Sequence, residues 1–288
     1  RWELIVRHSG SLAGLAGAGI QVDELLNGYA VLVVPEHLVD QVSELNQIEY
    51  IEKPKRLFFA SNMARAASCL SVVQSPSGTG NVTGGVISGL SGGLTGRGVL
   101  VAVIDSGIDY LNQDFRNEDG STRILMLMDQ DRGRIYTREE INEALDAPDR
   151  AGTLERVPSV DLSGHGTAVA AIAAGNGRGS QGVYRGVAYE SDLLVVKLGA
   201  PLADNFPRTT QLMKGLDFVI RQAQELGRPV AVNLSFGNTY GSHDGTSLLE
   251  TFMNDISNYG RSVLVAGTGN EGTGNGHTAG RLVMGSDT

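Results

Sequence analysis

Apolar positions divide the chain into two stretches of different rhythm. Over residues 3–52 the runs are short and interrupted: Leu4-Ile-Val6, Tyr29-Ala-Val-Leu-Val-Val34 and Ile48-Glu-Tyr-Ile51 each predict a strand. Between the last two, Leu38, Val42 and Leu45 share one face of a helix opened by Pro35, where a proline forfeits no hydrogen bond. A second helix is expected around residues 21–26, which gives a small β-α-β-α-β unit.

From residue 99 onward the rhythm changes. Residues 99–104, 193–198, 229–235 and 262–266 are continuous apolar runs, as required of strands covered on both faces of a parallel sheet. Residues 168–174, 209–225 and 248–258 read as helices, with Leu212, Leu216, Val219 and Ile220 forming one apolar stripe. Strand–helix alternation of this kind predicts a layered α/β fold, in which ligands bind at the carboxyl ends of the strands. Residues 75–98 are rich in glycine, serine and threonine and carry no period, so they read as a linker or mobile loop. The expected organisation is an N-terminal unit over residues 1–66, a linker over 67–98 and an α/β domain over 99–288.

Composition narrows the partners. The 288 residues carry a net charge of −9, and the longest basic cluster is Lys53-Pro-Lys-Arg56, so nucleic acid and anionic membrane surfaces are poor partners and no nucleic acid is expected. No apolar run approaches the ~18 residues of a membrane span. Cys69 is the single cysteine, which excludes an intrachain disulfide and fits a reducing setting. With 39 glycines and 6% aromatics, the fold relies on tight turns and close backbone approach.

Two motifs carry chemistry. Asp105 ends the apolar run Val99-Leu-Val-Ala-Val-Ile104, followed by Ser-Gly-Ile-Asp109, and His165 opens a small-residue helix in Gly164-His-Gly-Thr167-Ala-Val-Ala-Ala. A carboxylate at the tip of a buried strand and an imidazole at a helix head are two of the three parts of an acyl-transfer triad, the third being a serine. Asp109 is expected to serve the local turn.

Both motifs closely resemble the Asp and His motifs of the subtilisin-like serine proteases, the subtilases, and residues 94–270 follow that family's order of segments. Ile48-Glu-Tyr-Ile-Glu-Lys-Pro-Lys-Arg-Leu-Phe-Phe59 and Ala67-Ser-Cys-Leu70 resemble its Csp branch, clostridial proteases of spore germination. The resemblance implies a subtilisin-like three-layer α/β fold with a mostly parallel sheet, preceded by a small α+β, ferredoxin-like prosegment that chaperones folding and inhibits the enzyme. It implies that Asp105 orients His165 and stabilises its imidazolium, and that His165 is general base and acid. Asn270, in Val265-Ala-Gly-Thr-Gly-Asn-Glu-Gly272, would donate its amide to the oxyanion. Ser235, Phe236 and Gly237 would pair with the substrate backbone, and Asn233 and Gly199 would wall the cleft. The nucleophile follows Asn270 in the family order and is expected outside these 288 residues. Ala168 stands where subtilisins often have a second histidine that is not part of the triad.

Two decoys are set aside. Gly245-Thr-Ser247 matches half of the family's nucleophile motif, but Leu-Leu-Glu250 follows, and Ser247 with Glu250 reads as a helix capping box. Gly267-Thr-Gly269-Asn-Glu-Gly272 has dinucleotide-binding spacing, but the residues after it are poor helix material. The five histidines are scattered and no cofactor is expected; subtilases often bind calcium through loop carboxylates and carbonyls, which the resemblance leaves open, although no calcium loop is recognisable. The expected partners are a protein substrate, implied to be a cortex-hydrolase precursor in the spore or cytoplasm of a spore-former, and the chain's own prosegment acting as inhibitor. The alternative reading is an inactive pseudoprotease acting as a binding or signalling partner; intact Asp105, His165 and Asn270 argue for the enzyme. Two geometric expectations follow. Asp105 and His165 should lie about 2.6–3.2 Å apart, and residues 53–75 should run toward the cleft and add a strand beside Ser235-Phe-Gly237.

Overall fold

Alternate residues of the first strands face two different cores, and this sets the architecture of the N-terminal unit. The computed structural model describes residues 1–55, 58–59, 93–199, 207–237 and 244–269. Strands β1 (Trp2–His8), β2 (Gln21–Leu25), β3 (Tyr29–Val34) and β4 (Ile48–Glu52) form an antiparallel sheet in the order β2-β3-β1-β4. Helix α1 (Val39–Ser43) and a 3₁₀ turn at Ala13–Ala18 occupy the two helical positions of a ferredoxin-like layout. Leu4, Val6, Leu32 and Val34 pack against Val42, Leu12 and Ile20 on one face. Ile5, Leu25, Tyr29 and Val31 point the other way.

The helix expected over residues 21–26 is a strand, β2. Asn27 and Gly28 both adopt left-handed backbone, at φ 61° and 73°, and return the chain so that Leu25 pairs with Tyr29. An Asn-Gly pair between pairable segments is a hairpin signal, and here it overrides the weak helical pattern before it. A side chain on Gly28 would also meet the His8 carbonyl oxygen at 2.6 Å.

Six strands build the second sheet: β6 (Leu100–Asp105), β7 (Ile124–Asp129), β8 (Arg134–Thr137), β9 (Asp192–Lys197), β10 (Val230–Leu234) and β12 (Ser262–Ala266). Their order is β12-β10-β6-β9-β7-β8, parallel except for β8, which turns back antiparallel on β7. Neither β7 nor β8 belongs to the sequence-based expectation, although Ile124-Leu-Met-Leu-Met128 is apolar enough and the turn at Gly133 closes the hairpin. Helices α2 (Arg138–Leu145), α3 (Arg150–Arg156) and α4 (His165–Ala174) lie on the same side of the sheet, where Ala144 and Ala170 join Val101, Val103 and Val195 in one core. On the other side are α5 (Thr209–Glu225) and α6 (Leu248–Ser257), covering Ala102, Ile104, Val196 and Val232. This is the layered α/β arrangement that the buried runs predict, with β6 central and covered on both faces.

The N-terminal sheet docks on α5 and α6, and its outer face completes their core. Tyr29 is fully buried there, its ring edge-on to Phe252 at 5.2 Å and its hydroxyl 3.0 Å from Thr251 Oγ1 and 3.3 Å from Asp255 Oδ2. Glu52 accepts from the Leu248 amide at the first turn of α6 (2.8 Å), and Asp217 of α5 accepts from the Leu26 amide (2.8 Å). From Glu52 the chain runs past Thr209, whose amide donates to the Lys55 carbonyl at 2.8 Å. It then reaches β5 (Phe58–Phe59), which pairs antiparallel with β11 (Phe236–Gly237). The tail therefore adds a strand beside Phe236 and Gly237, as the sequence leads one to expect. Residues 95–98, assigned to the linker from sequence, are already fixed to the α/β domain. The Glu190 amide donates to the Thr95 carbonyl at 3.0 Å, and Arg97 pairs with the Glu190 carboxylate at 2.8 Å. Residues 60–92 lie outside the described residues.

Tyr29 is the anchor of the docked face, so truncating it should loosen both units. Chemical denaturation of Tyr29→Ala should read a loss of about 3–5 kcal/mol, the range for emptying a buried aromatic site. Tyr29→Phe, which removes only the hydroxyl, should cost about 1 kcal/mol.

Candidate active site

Asp105 is the last residue of β6 and His165 the first of α4, so the site is set by how closely a helix can approach a strand end. Gly166, Ala170 and Ala174 recur every four residues and form one stripe of α4, all buried. At Gly166 the approach is closest: a Cβ there would lie 2.2 Å from the Gly107 carbonyl oxygen and 3.1 Å from the Asp105 Cβ. No residue with a side chain fits without displacing the helix. The small-residue helix is thus read from the sequence as a means of approach, and the structure gives the contact.

The approach brings His165 Nδ1 to 2.7 Å from Asp105 Oδ1, inside the expected range. Asp105 is fully buried, and the His165 side chain keeps only 16% of its surface exposed. The imidazole is largely covered, because the ring leans back onto the strand end. Oδ1 of Asp105 also accepts from the Ser106 amide at 2.7 Å, whereas its buried Oδ2 has no hydrogen-bond partner among the described residues. Burial pushes the Asp105 carboxyl above the ordinary carboxylate range, and the hydrogen bonds from His165 and Ser106 only partly offset this. A carboxylate accepting at Nδ1 fixes the proton on that nitrogen and leaves the Nε2 lone pair as the basic position.

The other expected residues divide. Asn233, on β10, donates to Ser235 Oγ at 2.9 Å, and Ser235 and Phe236 are buried at the carboxyl edge of the sheet. Gly199 follows β9, its amide donating to Gln130 Oε1 at 3.1 Å, and borders a cavity of about 620 Å³ with Asp131, Arg134, Gln211 and Lys214. Asp109 serves its turn, accepting from the Leu111 amide at 3.3 Å. Ser247 caps α6 in a reciprocal capping box with Glu250. Asn270 lies outside the described residues; the strand that leads to it, β12, is parallel to β10, and the Gly267 amide donates to the Leu234 carbonyl at 2.9 Å. Among the described residues no group of three or more histidine, cysteine or carboxylate side chains is gathered as a metal site would require.

Sequence reasoning overlooks Asp161. Burial would raise its carboxyl, but hydrogen bonds from Thr167, Ser106 and Gly164 hold it below the usual range. The available signal is an acid four residues ahead of His165, the only charged residue of the loop from Val157 to Gly164.

Comparison with known proteins agrees with this architecture. Residues 1–55 match the model of the Csp protease B prodomain, and residues 96–282 match that of the subtilase family. The chain is 27% identical over 262 residues to a subtilisin of Bacillus sp. (strain TA39), covering 89% of this chain and 52% of that protein. The solved structure of the Clostridium perfringens CspB protease is similar with TM-score 0.56 and 39% identity, over 60% of this chain and 36% of that one. Fervidolysin from Fervidobacterium pennivorans, a keratinolytic enzyme related to subtilisin, shares the fold with TM-score 0.56 at 16% identity, over 93% of this chain and 40% of that one. The chain thus spans about half the length of the subtilisin and less of the solved relatives.

Two substitutions test the geometry. Gly166→Ala should destabilise the fold by about 2–3 kcal/mol, the scale of overpacking against backbone, and a structure of the variant should show His165 drawn away from Asp105. Asp105→Asn should act in the opposite sense on stability. Because burial raises the folded-state pKa of Asp105 above its unfolded value, stability is lost as pH rises from the unfolded to the folded pKa, and is recovered as the carboxyl is protonated. Thermal melts should therefore find Asp105→Asn more stable than the wild type at pH 7, by on the order of 1 kcal/mol, with the gain shrinking as pH falls through the carboxylate range.

Proposed function

The chain belongs to the subtilase family, and we propose that Asp105 and His165 serve a serine endopeptidase whose nucleophile lies outside these 288 residues. One observation carries the reading: the 2.7 Å contact of His165 Nδ1 with a buried carboxylate, at the sheet edge where β11 offers a backbone for pairing. In the proposed reaction Nε2 of His165 takes the serine proton as the hydroxyl oxygen attacks the scissile carbonyl, then delivers it to the departing amine. Asp105 holds the ring and balances the imidazolium that forms between these steps. The Asn270 side-chain amide donates to the oxyanion of the tetrahedral intermediate.

The substrate would lie extended beside β11, its backbone hydrogen-bonded to Phe236 and Gly237, with Asn233 and Gly199 bordering the cleft. Phe58–Phe59 now hold that edge of β11, which supports the prosegment as an intramolecular inhibitor that occupies the substrate's place. The match to the Csp protease B prodomain supports a spore-germination role, in which the substrate is the precursor of a cortex hydrolase. A binding partner with a disabled site would be expected to have lost Asp105 or His165; both are in place, which favours the enzyme.

The test is peptide hydrolysis by the full-length protein. His165→Ala should lower kcat by several orders of magnitude, the scale set by subtilisin itself, with the melting curve little changed. Ser247→Ala should leave kcat as in the wild type and cost about 1 kcal/mol of stability through the lost cap. Full activity in His165→Ala would refute the proposal, and loss of turnover in Ser247→Ala without unfolding would relocate the nucleophile.

A further inference from the structure

The Asp161 carboxylate accepts four hydrogen bonds, and they come from two separate segments. Oδ1 takes the Ser106 hydroxyl at 2.8 Å and the Gly164 amide at 3.0 Å. Oδ2 takes the Thr167 amide at 2.9 Å and the Thr167 hydroxyl at 2.6 Å. Gly164 and Thr167 flank His165 at the start of α4, whereas Ser106 directly follows Asp105. Both hydroxyls extend the bridge. Ser106 Oγ accepts from the Gly166 amide at 2.9 Å and from Ser163 Oγ at 3.0 Å, and Thr167 Oγ1 accepts from the Asp109 amide at 2.8 Å.

Helix capping accounts for the bonds to Gly164 and Thr167, since an anion is favoured beside a helix N-terminus. It does not account for Ser106, which belongs to the strand end. A carboxylate is the one side chain that can fill all four positions, because it is acceptor-only with two oxygens. An asparagine would turn an NH₂ toward donors whichever way it faced. The hydrogen bonds also keep Asp161 ionised through the neutral range, so the bridge persists there.

We propose that Asp161 is a positioning residue: through Ser106 on one side and Thr167 and Gly164 on the other, it fixes the separation and angle of Asp105 and His165. The consequence for catalysis rests on the function proposed above; the effect on the pair's geometry does not. A fraction of an ångström at this bond matters, since a misplacement of ~1 Å can cost ~10²-fold in rate.

The test has two readouts. The first uses the 288-residue chain with ¹⁵N-labelled histidine and follows the low-field proton resonance of the His165–Asp105 hydrogen bond. Asp161→Asn and Ser106→Ala should each shift this resonance or broaden it by exchange, with the fold retained by circular dichroism. Ser106→Ala is the decisive variant, because it leaves the caps from Asp161 to Gly164 and Thr167 in place and cuts only the link to the strand. The second readout is the full-length protein with a peptide substrate, where both variants should lower kcat by about 10–100-fold with KM within about twofold. An unchanged resonance in a folded Ser106→Ala chain would overturn the proposal and leave Asp161 as a helix cap. Wild-type full-length protein without turnover would count against the proposed function, while the resonance would still decide the positioning role.

Discussion

The structure turns on the contact between the first turn of α4 and the end of β6. Gly166 lies over Gly107 and Asp105 at a separation that admits no Cβ, and this places an imidazole on a fully buried carboxylate. The neighbouring features follow from keeping that contact. Ala170 and Ala174 extend the close approach along the helix, and β6 is central in the sheet so that its tip is held from both sides. Ser106, Asp161 and Thr167 then tie the two segments with charge-assisted hydrogen bonds.

That contact has an energetic cost. Burying Asp105 with one oxygen unpartnered raises its pKa, so ionising the carboxyl costs more in the folded chain than in the unfolded one. Functional sites commonly concentrate such unfavourable terms, and the surrounding core must offset them. Here the offset comes from strands covered on both faces and from the N-terminal sheet, which completes the core over α5 and α6. The unit that stabilises the domain is also the unit whose tail occupies β11, so stability and access to the sheet edge are linked through one element.

Much of this is legible in the sequence, for identifiable reasons. The parallel strands announce themselves because burial on both faces leaves unbroken apolar runs, and Asp105 is conspicuous because it ends one of them. The glycine and alanines after His165 state that a helix must come close. By contrast, β2 is masked because Gln21, Asp23 and Glu24 face solvent, and only the Asn27-Gly28 turn reveals its pairing with β3. The edge hairpin of β7 and β8 lies between two more obvious motifs and carries an alternating pattern on β8 that is short and weak. Asp161 is the least legible of all. Its significance depends on Ser106 being brought to it from 55 positions away, and no local pattern encodes that meeting.

Whether Asp105 and His165 activate a serine decides the function of this site. The most direct measurement is to treat the full-length protein with a fluorophosphonate probe and map the modified residue by mass spectrometry. If Asp105 and His165 serve a serine, one serine outside these 288 residues is labelled, and labelling is lost in His165→Ala. Labelling of Ser247 or any other serine within these residues, or labelling that persists without His165, would contradict that role.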